Sequence, residues 1–300
     1  MLGIMSNVVV PAFVVIVVGG LLATFFELEL HSLNRIALYA ATPALIFNSI
    51  ANSALSADNV LRLVAGLTLF LALMAVLAWL ASMRFEATTR RGFVATSVYN
   101  NSANMMLPVT LFAFGEAGLE RALLLLPFTS LALFGTAPLI LSGQAGASRR
   151  TLLRVSRLPV LWAAALGFTF NALGWSLPLG LARGLQIVGD AAIPLVLLML
   201  GLQMVQAGLP RPSAVNWLGS GSKLLVAPLV GYGSGVLVGL QGLDLAVLTL
   251  LTGMPPAVNT FMLALEFGGN AEEVARTVVL ATALSLLSIS IIVGLLATLL

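Results

Sequence analysis

Tyr99-Asn100-Asn101-Ser102-Ala103-Asn104-Met105-Met106-Leu107-Pro108 and Thr252-Gly253-Met254-Pro255-Pro256-Ala257-Val258-Asn259-Thr260 each set prolines and asparagines in the middle of a long apolar run. A proline inside a helix removes one hydrogen bond and pushes away the carbonyl four residues back. Pro108 therefore frees the carbonyl of Asn104, and Pro256 that of Thr252. In hydrocarbon a freed backbone group is costly unless protein or water satisfies it. The two stretches predict two interrupted helices, each lining a cavity or packed on protein.

The rest of the chain supplies the hydrocarbon setting. Of 300 residues, 60% are hydrophobic and 8% charged, against roughly 25% charged in a soluble domain. A crossing helix needs about 20 apolar residues. Ten segments qualify: 6–26, 34–54, 61–82, 92–114, 121–142, 158–174, 186–207, 219–240, 246–267 and 274–298. The first has no basic region ahead of it and reads as a spanning helix rather than a cleaved signal. With no cysteine and a single histidine, His31, disulfides, thiolate metal sites and histidine-rich centres are excluded. The arginines fall between apolar runs and form no nucleic-acid surface. No cofactor is expected.

Eleven of the fourteen basic residues lie near loops 1, 3, 5, 7 and 9; only Arg62, Arg121 and Arg183 lie on the other side. The positive-inside rule then puts the odd loops in the cytoplasm and both termini outside, in a bacterial inner membrane. The halves are alike. Phe114-Gly115, Glu120 and Ala122 recur as Phe267-Gly268, Glu273 and Ala275, all 153 residues on, and Pro43 and Pro194 are 151 apart. The reading is an all-α membrane protein of two inverted five-helix repeats, 1–143 and 158–300, joined by a basic cytoplasmic linker, 144–157. Inverted repeats are a common transporter plan.

The fourth helix of each repeat carries the break. A half-helix resuming after a break starts with unpaired N–H groups and partial positive charge, a ready seat for a carboxylate. Asn101, Asn104 and Pro108 share one helical face, and their amides can donate to an anionic oxygen. The simpler reading makes such asparagines bridges between helices; the repetition beside prolines in both halves favours a substrate site. On these grounds the binding candidates are Asn101 and Asn104 beside Pro108. Asn100, Ser102, Asp190, Gln203 and Lys223 are auxiliary or coupling candidates. Asp190 is placed at an outer helix end, Lys223 near a cytoplasmic end where it would snorkel, and Glu266 in solvent.

The same residues carry a family resemblance. Pro43-Ala44-Leu45-Ile46-Phe47-Asn48, Asn101-Ser102-Ala103-Asn104 ahead of Leu107-Pro108, Phe114-Gly115-Glu116, Lys223-Leu224-Leu225-Val226-Ala227-Pro228 and Met254-Pro255-Pro256-Ala257-Val258-Asn259-Thr260 resemble the short bacterial form of the auxin efflux carrier family. The resemblance spans nearly the whole chain. It implies ten helices, broken crossover helices 4 and 9, substrate binding by Asn101, Asn104, Pro108, Pro255, Pro256 and Asn259, and transport of organic anions such as malate or malonate; the sequence leaves the coupling ion open between proton and sodium. The partners expected are a small organic anion, lipid and a second copy of the chain. An enzyme would need a nucleophile, paired carboxylates or a metal cluster, and a channel an acidic ring or filter; neither pattern is in the sequence. A sodium-coupled carrier of bile-acid-like anions is the related alternative.

Overall fold

The computed structural model describes residues 10–143, 149–207 and 211–297. The ends of the first and last predicted spans, residues 144–148 of the linker and residues 208–210 lie outside them. The described residues are helical, with a single isolated antiparallel bridge, Asn100 to Pro256.

The helices, in order, are α1 (Val10–Phe25), α2 (Leu30–Ile36), α3 (Thr42–Ala51), α4 (Ala57–Ala81), α5 (Ala87–Val98), α6 (Leu107–Ser142), α7 (Arg149–Ser156), α8 (Pro159–Leu173), α9 (Leu179–Asp190), α10 (Ala192–Ala207), α11 (Ala214–Gly221), α12 (Ala227–Leu237), α13 (Gly242–Thr252), α14 (Val258–Phe267) and α15 (Ala271–Leu296). Each predicted apolar segment overlaps helix. Among the described residues, four runs are long and apolar enough to cross a membrane: Ala57–Ala81, Ser102–Ser142, Leu179–Gln206 and Ala271–Leu296. Large apolar side chains such as Val14, Leu61, Leu166, Leu229 and Leu287 are exposed on the outside. So much open apolar surface suits a lipid boundary.

Three π turns, Ala37–Ala41, Ser102–Met106 and Ser222–Val226, each end two residues before a proline: Pro43, Pro108 and Pro228. The proline ring would strike the carbonyl four residues back. A π turn widens the preceding coil and shifts its bonding from i−4 to i−5, as in the Met106 N–H bond to the Asn101 carbonyl at 3.2 Å. This corrects the expectation for Pro108. The proline does not itself break the helix; the coil ahead of it adapts, and the interruption lies upstream at Tyr99–Asn101.

Inside α6, Gly115 has φ 65° and ψ −163°, a region open essentially to glycine alone. The long run is therefore kinked there. Gly268, which ends α14, has φ 93° and ψ 177°. The two Phe-Gly pairs noted in the sequence thus share one unusual backbone.

Packing divides the helices. The α1–α10 pair and α3 against α8 and α9 form one bundle. At Gly19 and Gly201 the α1 and α10 backbones touch: a Cβ on Gly201 would stand 1.9 Å from the Ile16 carbonyl oxygen, close packing that only small residues permit. The other bundle comprises α4, α5 and α11–α15, with α6 beside it. The seam between them runs where α6 meets α3 and α8, and where α10 meets the Ser102–Met106 turn.

Candidate functional site

The two interruptions face each other. The Asn101 N–H donates to the Pro255 carbonyl at 2.8 Å, and the Ala257 N–H to the Tyr99 carbonyl at 3.1 Å. These bonds flank Asn100 and Pro256, which makes that couple a non-hydrogen-bonded pair. In such a pair a residue's own N–H points away from the partner strand, so a proline is tolerated. Pro255 and Pro256 also bring no N–H that the buried break would have to satisfy. The two breaks thereby satisfy each other's backbone, which a single break cannot do. The three-residue ladder spans about 7 Å.

Asn101 is the N-cap of the Ser102–Met106 turn, its Oδ1 accepting the Asn104 N–H at 3.3 Å. The residue is 3% exposed, and its Nδ2 is a buried donor without a hydrogen-bond partner. Such orphans are rare and mark places where something else completes the bonding. Asn104 is half-buried. Ser102 is buried, and its Oγ donates to the Asn100 carbonyl at 3.3 Å. Pro108 is buried in the first turn of α6. Across the ladder, α14 starts at Ala257 with no side-chain cap, so its first N–H groups retain the positive end of the helix dipole. Asn259 is exposed in that first turn, while Thr260 is buried with an unpartnered Oγ1.

Lys223 departs most from expectation. It does not snorkel. It is 0% exposed, and its Nζ donates to Asn100 Oδ1 and, at 3.4 Å, to the Ser97 carbonyl in the last turn of α5. The Phe70 ring centre lies 5.6 Å from the ammonium. The break thus holds a buried lysine side chain, where the sequence reading placed it at a cytoplasmic end. Ser97 and Phe70 escaped that reading altogether; only their apolar surroundings marked them.

Other candidates scatter. Gln203 is half-buried on α10, which packs on the Ser102–Met106 turn, and its Oε1 has no partner. Asp190 is exposed at the end of α9, whose neighbours include α3 and the Ala37–Ala41 turn; it is not part of the break cluster. Glu266 is not simply solvated: it takes two hydrogen bonds from Arg154, at 2.7 and 2.8 Å. Among the described residues no three His, Asp or Glu side chains group to hold a metal ion. A cavity of about 530 Å³ lies away from the breaks, between Tyr39, Arg149, Leu153, Arg154, Arg157 and Leu158.

What the arrangement offers is a buried set of donors, Asn101 Nδ2, helix N–H groups and the Lys223 amine, suited to an anion and, among the described residues, holding no nucleophile paired with a base. A family of membrane transport proteins matches this chain over residues 4–151 and again over 146–293. An uncharacterized transporter of Methanothermobacter thermautotrophicus is 32% identical over 268 residues, covering 88% of each chain. An uncharacterized transporter of Methanocaldococcus jannaschii is 26% identical, over 95% of this chain and 96% of that one. A Rhizobium meliloti protein named "Putative malonate transporter" is 25% identical, over 97% of this chain and 94% of its own length. The chain is an integral membrane protein and not an enzyme, and it belongs to the membrane transport protein family, the auxin efflux carrier family that its motifs resemble.

Proposed function

We propose that this protein is a secondary carrier of small organic anions, built of ten spans in two inverted repeats and working by alternating access. Its substrate carboxylate is held where the broken fourth and ninth spans cross. One observation carries the reading: the two breaks are hydrogen-bonded to each other and leave an unpartnered donor, Asn101 Nδ2, buried beside the uncapped start of α14. In transporters of this plan, half-helix N-termini receive anionic groups at the midplane.

Matched details support the repeat. The N-caps of α4 and α11 are Ser56 and Ser213, each accepting from an asparagine three residues on. Glu120 and Glu273, 153 apart, each accept a serine hydroxyl, from Ser53 at 2.5 Å and Ser213 at 2.8 Å. The twofold family match points the same way. The bundle of α1, α3, α8, α9 and α10 is the scaffold and the crossing pair sits in the moving part. Malonate, malate and related carboxylates head the substrate class, since a relative spanning the whole chain carries a malonate name. The odd loops face the cytoplasm of a bacterial cell.

Calorimetry of purified protein against malonate, malate, succinate, acetate and indole-3-acetate tests the reading. Saturable binding of at least one carboxylate is expected, with uncharged diamides of the same acids failing to compete. Binding of the diamides as tightly as the acids would refute it.

A further inference from the structure

The cavity of about 530 Å³ walled by Tyr39, Arg149, Leu153, Arg154, Arg157 and Leu158 has no part in holding a carboxylate at the crossing breaks. Five of its residues come from α7 and the short turn after it. The sixth, Tyr39, comes from the Ala37–Ala41 π turn, which packs on α8, α9 and α10. Three arginines thus converge on one opening. Arg154 is committed: it gives two hydrogen bonds to Glu266 and stands 5.4 Å from the centre of the Phe267 ring. Arg149 and Arg157 are exposed, and among the described residues no acid pairs with either. The pocket is therefore positive, and a guanidinium fork suits phosphate, which it can bind through two parallel hydrogen bonds.

The surroundings belong to a membrane interface. Leu152 and Leu153 are exposed on α7 among its arginines, the mixture found on helices that lie in the interface plane. Tyr39 is exposed beside the cavity. Trp162, also exposed, donates from Nε1 to the Ser156 carbonyl at the end of α7, at 2.7 Å. Tyrosine and tryptophan gather at the headgroup level of a bilayer, and basic pockets between spanning helices hold anionic headgroups. The volume falls within the roughly 300–1,000 Å³ of small-molecule sites. A lone phosphate would leave most of it empty, whereas a glycerophosphate headgroup has room.

We infer that this cavity binds the headgroup of an anionic phospholipid, with Arg149 and Arg157 on the phosphate and the acyl chains lying over Leu152 and Leu153. A soluble phosphate ester offers the same charge but nothing for the exposed leucines to cover. The bound lipid bridges Tyr39 and α7, and so pins the segment that leads from α6 to α8.

The test is native mass spectrometry of the whole protein released from micelles holding equal amounts of phosphatidylglycerol and phosphatidylcholine. Retention of phosphatidylglycerol at least about fivefold above phosphatidylcholine is expected, the scale of two arginines acting on one headgroup. Arg149→Gln with Arg157→Gln removes that preference. Arg84→Gln with Arg211→Gln, which deletes two exposed arginines outside the cavity, keeps it. Millimolar glycerol 3-phosphate leaves the lipid in place. Equal retention of the two lipids overturns the inference, as does a preference that survives in the Arg149/Arg157 variant or is lost equally in the Arg84/Arg211 one. Displacement by glycerol 3-phosphate overturns the lipid assignment in favour of a soluble phosphate ester. Should the Arg149/Arg157 variant not fold, photoreactive phosphatidylglycerol on wild-type protein decides: crosslinks at Tyr39 or within 149–158 support the site, and crosslinks confined elsewhere overturn it. No malonate enters these measurements, so failure here leaves the carrier reading standing.

Discussion

The backbone N–H of Asn101 and the carbonyl of Pro255, 154 positions apart in sequence, are joined at 2.8 Å. That bond, with its neighbour from Ala257 to Tyr99, makes the two interruptions one structural unit. It explains why prolines cluster just before α14 and asparagines just after α5. Each side gives one N–H and one carbonyl, and the two prolines add no further N–H that the break would have to satisfy.

The kink glycines give a clean backbone test. A Cβ at Gly115 would meet nothing within 4 Å, so Gly115→Ala introduces no clash and isolates the cost of its φ of 65°. That cost is on the order of 1–3 kcal/mol. A lowered melting temperature in Gly115→Ala is expected, and a similar loss in Gly268→Ala, where the backbone is alike. Unchanged melting in both would show that the chain relaxes to ordinary helix there.

Asp244 opens α13 and is held by Arg121 and by Asn59 Nδ2, the latter at 2.9 Å. Both ion-pair partners are mostly buried. Removing one member of a buried pair costs roughly 3–5 kcal/mol, because the other is left uncompensated. Asp244→Ala should therefore lower the melting temperature sharply, and Asn59→Ala, which removes one hydrogen bond, much less. Equal small effects would mean that solvent screens the pair.

Orientation is testable by labelling, aided by the absence of native cysteine. Ser156 and Ser176 are both exposed, at opposite ends of α8. With the odd loops cytoplasmic, Ser156→Cys is protected from an impermeant thiol reagent in intact cells and Ser176→Cys is labelled. The reverse pattern would invert the topology.

Most of the fold could be read from the sequence because its signals are strong and local. Runs of about 20 apolar residues have few alternatives, and a Phe-Gly pair at a fixed offset marks a backbone that only glycine adopts. The breaks were legible as regions but not to the residue, since a proline's strain can be absorbed by a π turn ahead of it. Lys223 was misplaced for one physical reason. The apolar run was taken to start at residue 219, whereas the capping box of Ser213 and Asn216 starts the helix at Ala214. At 1.5 Å per residue, that earlier start puts Lys223 about 14 Å along the helix from its first residue, well away from its end. The serine and asparagine were visible in the sequence, and read as a cap they would have located the buried lysine.

The claim that the crossing breaks hold the substrate carboxylate is tested most directly by malonate counterflow in proteoliposomes, comparing wild type with Asn101→Ala and Asn104→Ala at matched protein content. Losing one donor to a charged group costs about 1.5–3 kcal/mol, which is roughly tenfold or more in affinity. The account predicts saturable counterflow in wild type and a half-saturating malonate concentration raised at least tenfold in both variants, with reconstitution and melting temperature little changed. Wild-type counterflow in both alanine variants would contradict it, leaving the asparagines as helix contacts and the anion site elsewhere.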